Sequence, residues 1–392
     1  MNAPGDRHAE NLQAEELQAE VAVIGAGQAG LSAAHHLLRR GLAREQLVVC
    51  DAYPGPGGAW RNRWPTLTLS TVNGVHDLPG MAFTEVLGRD DDPSAVRAAE
   101  AVPRYYGEYE RAQGIAVRRP VRVRCVCDGD PFRVEADGPD GAVVIRARGL
   151  VNATGTWERP FVPRYPGAGL FGGRQMHTRD YSGPGALAGK RVVVVGGGIS
   201  AVDIVSEVSQ VADTLWVTRT PPRFSEQPFT LEDGRRAVAR VEDRVRRGLP
   251  PGSVVSVTGI PWNPRYRDAE RRGALKRHPM FTAITARGVR WDGVDGEPDG
   301  ETPVDVIVWA TGFRSALDHL APLRLRGRGG GITMTGRLAT QVQGRPRLHL
   351  IGYGPSASTI GANRAGRAVA AELLEALRGP EGPVQAPRTP DQ

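Results

Sequence analysis

The sequence predicts an α/β fold with two Rossmann-like, dinucleotide-binding domains, the second inserted into the first. Two observations predict it. An apolar strand runs into a glycine-rich turn and a helix twice, at residues 21–40 and again at 191–210. A strand ending in Ala-Thr-Gly also occurs twice, at 150–155 and 306–312, and its two copies bracket the second unit. Such repetition is typical of doubly wound α/β proteins.

Length and composition narrow the class of protein further. A chain of 392 residues can form two domains of ordinary size, each with its own core. The formal net charge is +7, but the basic residues are scattered and form no stripe interleaved with aromatic residues, so we expect no nucleic-acid partner. The first twenty residues are polar and acidic, unlike a secretory signal, and no apolar run reaches the roughly 18 residues typical of a membrane span. We therefore expect a cytoplasmic protein with no membrane partner.

Cysteine and metal chemistry are not indicated. Three cysteines cannot form a disulfide framework, and no Cys-x-x-Cys pair is present. Cys50 closes a predicted strand, while Cys125 and Cys127 share one face of another. No ligand spacing suggests zinc, so we expect no metal.

The first glycine-rich unit predicts a nucleotide-binding turn. Gly25 permits the tight turn, Gly27 lets the backbone approach a pyrophosphate, and Gly30 lets the helix pack on its strand. The helix N-terminus then faces the phosphates. The next strand ends at Asp51, 21 residues after Gly30, where a carboxylate can accept hydrogen bonds from an adenosine ribose.

The second unit ends differently. Its turn contains Gly196 and Gly198, and its following strand delivers Arg219, with Arg223 four residues later. An arginine at this place can pair with a 2′-phosphate, which indicates NADP(H) rather than NAD(H). The alternative is that both are surface arginines of an arginine-rich chain.

With these residues described, the chain resembles the flavin-containing monooxygenases, the FAD- and NADPH-dependent group that includes N-hydroxylases and Baeyer–Villiger enzymes. The most specific segment is Phe171–Tyr181, which fits the family fingerprint FxGxxxHxxx(Y/F). The two glycine turns, the run Gly57-Gly58-Ala59-Trp60 and the segment 310–313 also match. The resemblance extends from Val21 to about Leu377.

The two Ala-Thr-Gly strands that bracket the second unit also predict where the domains begin and end. We expect a disordered N-terminus at 1–18, a discontinuous FAD-binding domain at 19–160 and 302–378, and a disordered tail at 379–392. The NADPH-binding domain would be 161–301, with an insertion at about 231–277.

The resemblance implies site residues. His177 would couple placement of the nicotinamide to the state of the flavin, although a packing role is the alternative. Trp60 would lie against the flavin or belong to the core. The segment 61–73 would cross the face where oxygen and substrate meet, and Asn73 is a candidate to act there. A helix starting near Asn363 would point its N-terminus at the flavin. The cofactor-binding residues implied are Gly25, Gly27, Gln28, Ala29, Gly30, Asp51, Gly58, Trp60, Gly155, Gly196, Gly198, Ser200, Arg219, Arg223, Gly312 and Asn363.

The implied activity is oxygenation of a small organic substrate by a flavin C4a-(hydro)peroxide formed from FAD, NADPH and molecular oxygen. The fingerprint ends in Tyr181-Ser182, where Baeyer–Villiger members typically carry Trp followed by Pro or Asp, and this favours oxygenation at nitrogen or sulfur. The main alternative is a flavoprotein reductase that passes electrons to a carrier or quinone. A nucleotide-binding regulatory protein without turnover is a further alternative. The substrate and the oligomeric state are not indicated.

Overall fold

The computed structural model describes residues 14–72, 74–88, 92–226, 231–252, 259–294, 296–297 and 299–379. The strands are β1 (Glu15–Ile24), β2 (Leu47–Cys50), β3 (Val117–Arg118), β4 (Arg122–Cys127), β5 (Phe132–Gly138), β6 (Gly141–Asn152), β7 (Arg174–His177), β8 (Arg191–Val195), β9 (Asp213–Val217), β10 (Phe224–Ser225), β11 (Ile260–Pro261), β12 (Arg277–His278), β13 (Ala283–Ile284), β14 (Gly288–Trp291), β15 (Gly300–Pro303), β16 (Val306–Trp309), β17 (Met334–Thr335), β18 (Gln341–Val342) and β19 (Arg345–Leu350). The helices are α1 (Gln28–Arg39), α2 (Ala98–Gln113), α3 (Ile199–Val208), α4 (Leu231–Arg246), α5 (Pro264–Arg271) and α6 (Thr359–Arg378).

The larger sheet has a parallel centre. Its order is β17-β18-β19-β6-β1-β2-β3, and β4 and β5 continue antiparallel from β6. The end of β1 that leads into the first glycine turn is fully buried, as expected for a central strand covered on both faces. Helices α1 and α6 pack closely against each other, because Gly366 of α6 lies against Ser32 of α1 with no room for a side chain.

The smaller sheet is entirely parallel, with the order β12-β9-β8-β16-β7. Four consecutive valines, Val192–Val195, form the buried part of β8, and α3 follows the second glycine turn. A three-stranded antiparallel sheet of β13, β14 and β15 lies between β12 and β16 in the chain.

Two expected boundaries are wrong. Residues 15–18, expected to be disordered, belong to β1, because their backbone pairs with residues 143–146 of β6. The expected return to the first domain at residue 302 comes too early, because β16 lies between β7 and β8 in the smaller sheet. In the smaller sheet, β16 precedes Ala-Thr-Gly and lies beside β8, which precedes the glycine turn. In the larger sheet, β6 and β1 have the same relation. The other expected disordered residues, 1–13 and 380–392, lie outside the described residues.

The two segments that cross between the sheets pair with each other. We call residues 153–161 and 310–316 the crossing ribbon. The amide of Phe161 donates to the carbonyl of Gly312 (3.0 Å), and the amide of Arg314 donates to the carbonyl of Arg159 (2.7 Å). The rings of Trp157 and Phe313 stack with their centroids 4.9 Å apart. The sheets are thus joined by one double-stranded connection.

Candidate cofactor and substrate site

The first glycine turn rests directly on the crossing ribbon. Gly25 has a φ of +100°, and a Cβ there would lie 2.6 Å from the carbonyl oxygen of Ala153. A Cβ on Gly30 would lie 1.8 Å from the carbonyl oxygen of Gly25. Both positions therefore require glycine for the fold itself, as the sequence predicts for the turn and for helix packing.

Gly27 is different, because its missing side chain leaves open space. It is the N-cap of α1 with ordinary backbone angles, and a Cβ there would meet no atom within 4 Å. The turn borders a cavity of about 350 Å³. Seven further predicted residues line this cavity, namely Gly25, Gln28, Ala29, Asp51, Gly58, Trp60 and Gly155. The space beside free N–H groups at a helix N-terminus fits a pyrophosphate.

Asp51 lies at the cavity wall at the carboxyl end of β2. Its Oδ2 accepts from the amide of Ala26 (2.7 Å) and its Oδ1 from the amide of Tyr53 (2.9 Å), and the residue is only 7% exposed. These bonds fix the carboxylate, and each oxygen keeps a further lone pair for a hydroxyl donor. The position fits the predicted contact with a ribose.

Asn363 does not line the cavity but contacts a residue that does. The side-chain amide of Gln28 donates to Oδ1 of Asn363 (3.0 Å), and the hydroxyl of Tyr106 donates to Oε1 of Gln28 (2.6 Å). Helix α6 begins at Thr359, slightly earlier than predicted, and Ser358 caps it. Ser358 and Thr359 line the cavity, so the helix N-terminus faces it.

The second glycine turn repeats the geometry of the first. Gly196 has a φ of +146°, and a Cβ there would lie 2.2 Å from the carbonyl oxygen of Ala310. Gly198 is the N-cap of α3, and a Cβ there would meet nothing within 4 Å. Ser200 lies in the first turn of α3. None of these three residues lines the first cavity, so the second turn borders a separate open space.

Arginines surround the end of the strand after the second turn. Arg219 and Arg223 are exposed, as a 2′-phosphate contact requires. Arg277, which sequence reasoning missed, binds Thr218, the residue before Arg219. Its guanidinium donates to the hydroxyl of Thr218 (2.9 Å, from Nε) and to the carbonyl of Thr218 (3.1 Å, from Nη2). Arg277 is brought here by β12, a strand of two residues that pairs with β9 and has no recognisable sequence signal.

The fingerprint histidine holds the crossing ribbon. Nδ1 of His177 accepts from the amide of Arg179 (3.1 Å), so Nε2 carries the proton and donates to the carbonyl of Gly312 (3.0 Å). Its ring packs edge-on against Phe313, with 4.8 Å between centroids, and is 3% exposed. Burial lowers the pKa of His177 below its ordinary value, so the neutral ring persists at neutral pH. Gly312 itself lies just outside the cavity that Phe313 lines.

Tyr181, the last fingerprint residue, belongs to a polar cluster that joins the two halves of the molecule. The hydroxyl of Tyr181 donates to Oε2 of Glu207 (3.0 Å), which also accepts from the hydroxyl of Thr66 (2.8 Å). Glu207 lies on α3, whereas Thr66 belongs to the loop that follows Trp60. Arg265 pairs with Glu207 (3.2 Å) and with Asp203, one turn earlier on α3. Sequence reasoning missed this polar cluster because its members come from four separate segments.

The polar cluster predicts a pH effect on stability. Burial raises the pKa of Asp203 from 3.8 to about 6, although Arg265 and Tyr266 oppose the shift. The folded state therefore binds this proton more tightly than the unfolded state. The stabilisation is full below about pH 4 and is lost as pH rises through 6.

We expect Asp203→Asn to flatten this dependence. The free energy of unfolding, measured by urea titration from pH 4 to 8, should fall less with rising pH in the variant than in the wild type. Taking the difference between the two proteins cancels the buried histidines, whose lowered pKa values act in the opposite direction. Parallel profiles would show that Asp203 stays ionised in this range.

Asn73, the candidate for a role near oxygen, lies outside the described residues. Two cavity-lining residues that sequence reasoning did not single out are Arg63 and Trp157.

Cys125 and Cys127 share one face of β4 with their Sγ atoms 3.6 Å apart. In the described part of the chain, no three His, Cys, Asp or Glu side chains are grouped to hold a metal ion. No described helix has the length and apolar character needed to cross a membrane.

Comparisons with known proteins agree with this geometry. The family model described as "Pyridine nucleotide-disulphide oxidoreductase" matches residues 22–231. The solved structure of a flavin-containing monooxygenase from Stenotrophomonas maltophilia is similar, with 33% identity, a TM-score of 0.74 and coverage of 91% of this chain and 98% of that one. Indole-3-pyruvate monooxygenase YUCCA1 of rice (Oryza sativa subsp. japonica) is 33% identical over 75% of this chain and 76% of its own length. Ferredoxin–NADP reductase of Salinispora tropica is 29% identical over 88% of this chain and 92% of its own.

Proposed function

We propose that this chain, which belongs to the flavin-containing monooxygenases within the pyridine nucleotide-disulphide oxidoreductase family, oxygenates a small organic substrate. The proposed site of oxygenation is a nitrogen or sulfur atom. FAD and NADPH are its cofactors, and molecular oxygen is the co-substrate. We propose that FAD occupies the cavity at the first glycine turn and that NADPH binds at the second. Bound FAD supplies the redox chemistry and the activation of oxygen.

The residues of the chain position the reactants and exclude water. Gly27 and Gly198 leave room for the two pyrophosphates, and Asp51 and Arg219 hold the two riboses. Trp60, Trp157 and Phe313 give the cavity apolar walls, which limit loss of reactive oxygen to water. Neutral His177 donates a hydrogen bond from Nε2 to the carbonyl of Gly312. This bond keeps the crossing ribbon in register between the two nucleotide sites.

The single observation that favours oxygenation of a heteroatom over oxygenation of a ketone is the tyrosine at the end of the fingerprint, Tyr181. Its hydroxyl bonds to Glu207, while its ring lies edge-on to Trp64, with 5.9 Å between centroids. The tryptophan typical of Baeyer–Villiger members offers an indole N–H from a larger ring instead of this hydroxyl, so the contact with Glu207 would have to be rebuilt. The loop after Trp60 contacts both partners, because Thr66 donates to Glu207 and Trp64 packs on Tyr181.

The test is oxygen labelling. Purified holoenzyme is supplied with NADPH, ¹⁸O₂ and, in turn, methyl p-tolyl sulfide, N,N-dimethylbenzylamine and phenylacetone, and products are identified by mass spectrometry. We expect the label in the sulfoxide or N-oxide, in amounts that match NADPH consumed, and little or none in an ester. A labelled ester as the main product would reverse the proposed preference.

A reductase is the second candidate, because a ferredoxin–NADP reductase matches the chain over most of its length. The discriminating assay is anaerobic reduction of ferredoxin and of ferricyanide by NADPH. Fast transfer to ferredoxin, together with no labelled product from any of the three substrates, would favour the reductase. Slow transfer with labelled product would leave the monooxygenase.

A further inference from the structure

Arg63 has a charge without a partner. Its Nε is fully buried, and among the described residues no hydrogen bond or ion pair involves its guanidinium. The guanidinium carbon lies 4.7 Å from the ring centroid of Trp157 and 5.5 Å from that of Trp60. Burial lowers the pKa of Arg63 only to about 10, so the side chain remains charged at neutral pH.

Other enclosed arginines of the chain do not share this state. Arg119 forms two hydrogen bonds to Glu110 (2.7 and 2.8 Å), and Arg265 is paired with Asp203 and Glu207. Contacts with indole rings recover only part of the cost of removing a guanidinium from water. The terminal nitrogens of Arg63 are therefore free to bind an anionic group from outside the chain.

Nη1 and Nη2 of Arg63 are the atoms that a ligand in the cavity can reach. Six buried polar side-chain atoms of the described residues lack a hydrogen-bond partner, and Nε of Arg63 is one of them. Nη1 and Nη2 also have no partner in the described part of the chain but are not among these buried atoms, and Arg63 lines the cavity. Two terminal nitrogens of a guanidinium suit the two oxygens of a carboxylate.

The phosphate groups of the two cofactors do not need Arg63. Each pyrophosphate has its own glycine turn and helix N-terminus, and the 2′-phosphate has Arg219 and Arg277. The remaining ligand is the substrate. Trp60, Trp157 and Phe313 provide flat apolar surfaces next to the charge, which suit a ring or a short hydrocarbon body.

We propose that Arg63, stacked on Trp157, binds the carboxylate of the substrate, so that this enzyme acts on organic acids with an apolar body. The inference rests on the function proposed above for the same site. It makes Arg63 a specificity-determining residue, since it selects the acid over a neutral compound of the same shape.

The test compares two probes that differ only in the charged group. Phenylpyruvate carries a carboxylate where phenylacetone carries a methyl group. Binding to oxidised holoenzyme is followed by the change in the flavin absorbance spectrum, without NADPH and without turnover. In Arg63→Gln we expect the Kd for phenylpyruvate to rise about tenfold or more, while the Kd for phenylacetone stays within about twofold.

Arg314→Gln is the matched control, because its guanidinium also stacks on a ring, 4.2 Å from the centroid of Phe161, but does not line the cavity. It should leave both Kd values unchanged. Arg63→Lys keeps the charge without the paired terminal nitrogens of a guanidinium and should weaken phenylpyruvate binding by a smaller factor. If the glutamine variant does not fold, the lysine variant decides the question.

Three outcomes would overturn the proposal. Loss of FAD on gel filtration by Arg63→Gln would assign the residue to FAD, and a raised Kd for NADP⁺ would assign it to the coenzyme. Failure of the wild type to prefer phenylpyruvate over phenylacetone would exclude the carboxylate. Because binding is measured without oxygenation, absence of ¹⁸O-labelled product would contradict the proposed function and leave this result standing.

Discussion

Gly27→Ala is expected to reduce the affinity for FAD by about 100-fold or more, close to 3 kcal/mol, while the apoprotein keeps its fold. The Cβ would meet no protein atom, and the backbone angles of Gly27 suit alanine. The methyl group would instead occupy the space that the pyrophosphate needs. Flavin content after gel filtration and the Kd for FAD of reconstituted apoprotein measure the effect.

Two matched variants separate binding from folding. Gly198→Ala places the same methyl group in the second turn, so NADPH binding should weaken while flavin content stays at the wild-type level. Gly169→Ala, also with open space around its Cβ, should change neither. Gly30→Ala should instead destabilise the apoprotein, because its Cβ would lie 1.8 Å from a backbone oxygen. Full flavin content in Gly27→Ala would contradict the placement of FAD.

Arg219→Gln is expected to raise the KM for NADPH about 10- to 100-fold and to leave the KM for NADH unchanged. The side chain would lose its pairing with the 2′-phosphate, which NADH lacks. Arg277→Gln should act in the same direction, since its guanidinium is fixed to Thr218, the residue before Arg219. Steady-state kinetics with both coenzymes measure the effect.

Arg223→Gln tests the remaining predicted contact, and Arg287→Gln, at a remote exposed position on the turn before β14, controls for the change in net charge. An equal loss with NADPH and NADH would show that Arg219 acts through the fold or the pyrophosphate. No loss with either coenzyme in any of these variants would leave Arg219 and Arg223 as the surface arginines of the alternative interpretation.

Local chemistry explains which features could be predicted from the sequence. The turns at Gly25 and Gly196, the carboxylate of Asp51 and the fingerprint histidine each follow from a few neighbouring residues, because turn geometry and helix starts are local. Arg277 and the cluster around Glu207 depend on strands and loops far apart in the chain. The unpaired state of Arg63 is visible only once its surroundings are known. The position of β16 could have been inferred from the symmetry with β6, since both strands precede Ala-Thr-Gly.

The crossing ribbon limits how the two halves of the molecule can move. Two independent linkers would allow the sheets to twist and slide, whereas a hydrogen-bonded pair with stacked Trp157 and Phe313 resists both. A relative motion of the two sheets would have to bend the ribbon and also shift the contacts that Thr66 makes with Glu207 and that Val245 of α4 makes with the core of the larger sheet. Because Ala153 and Ala310 of the ribbon also support the two glycine turns, such a motion would change the angle between the two nucleotides without loosening either one.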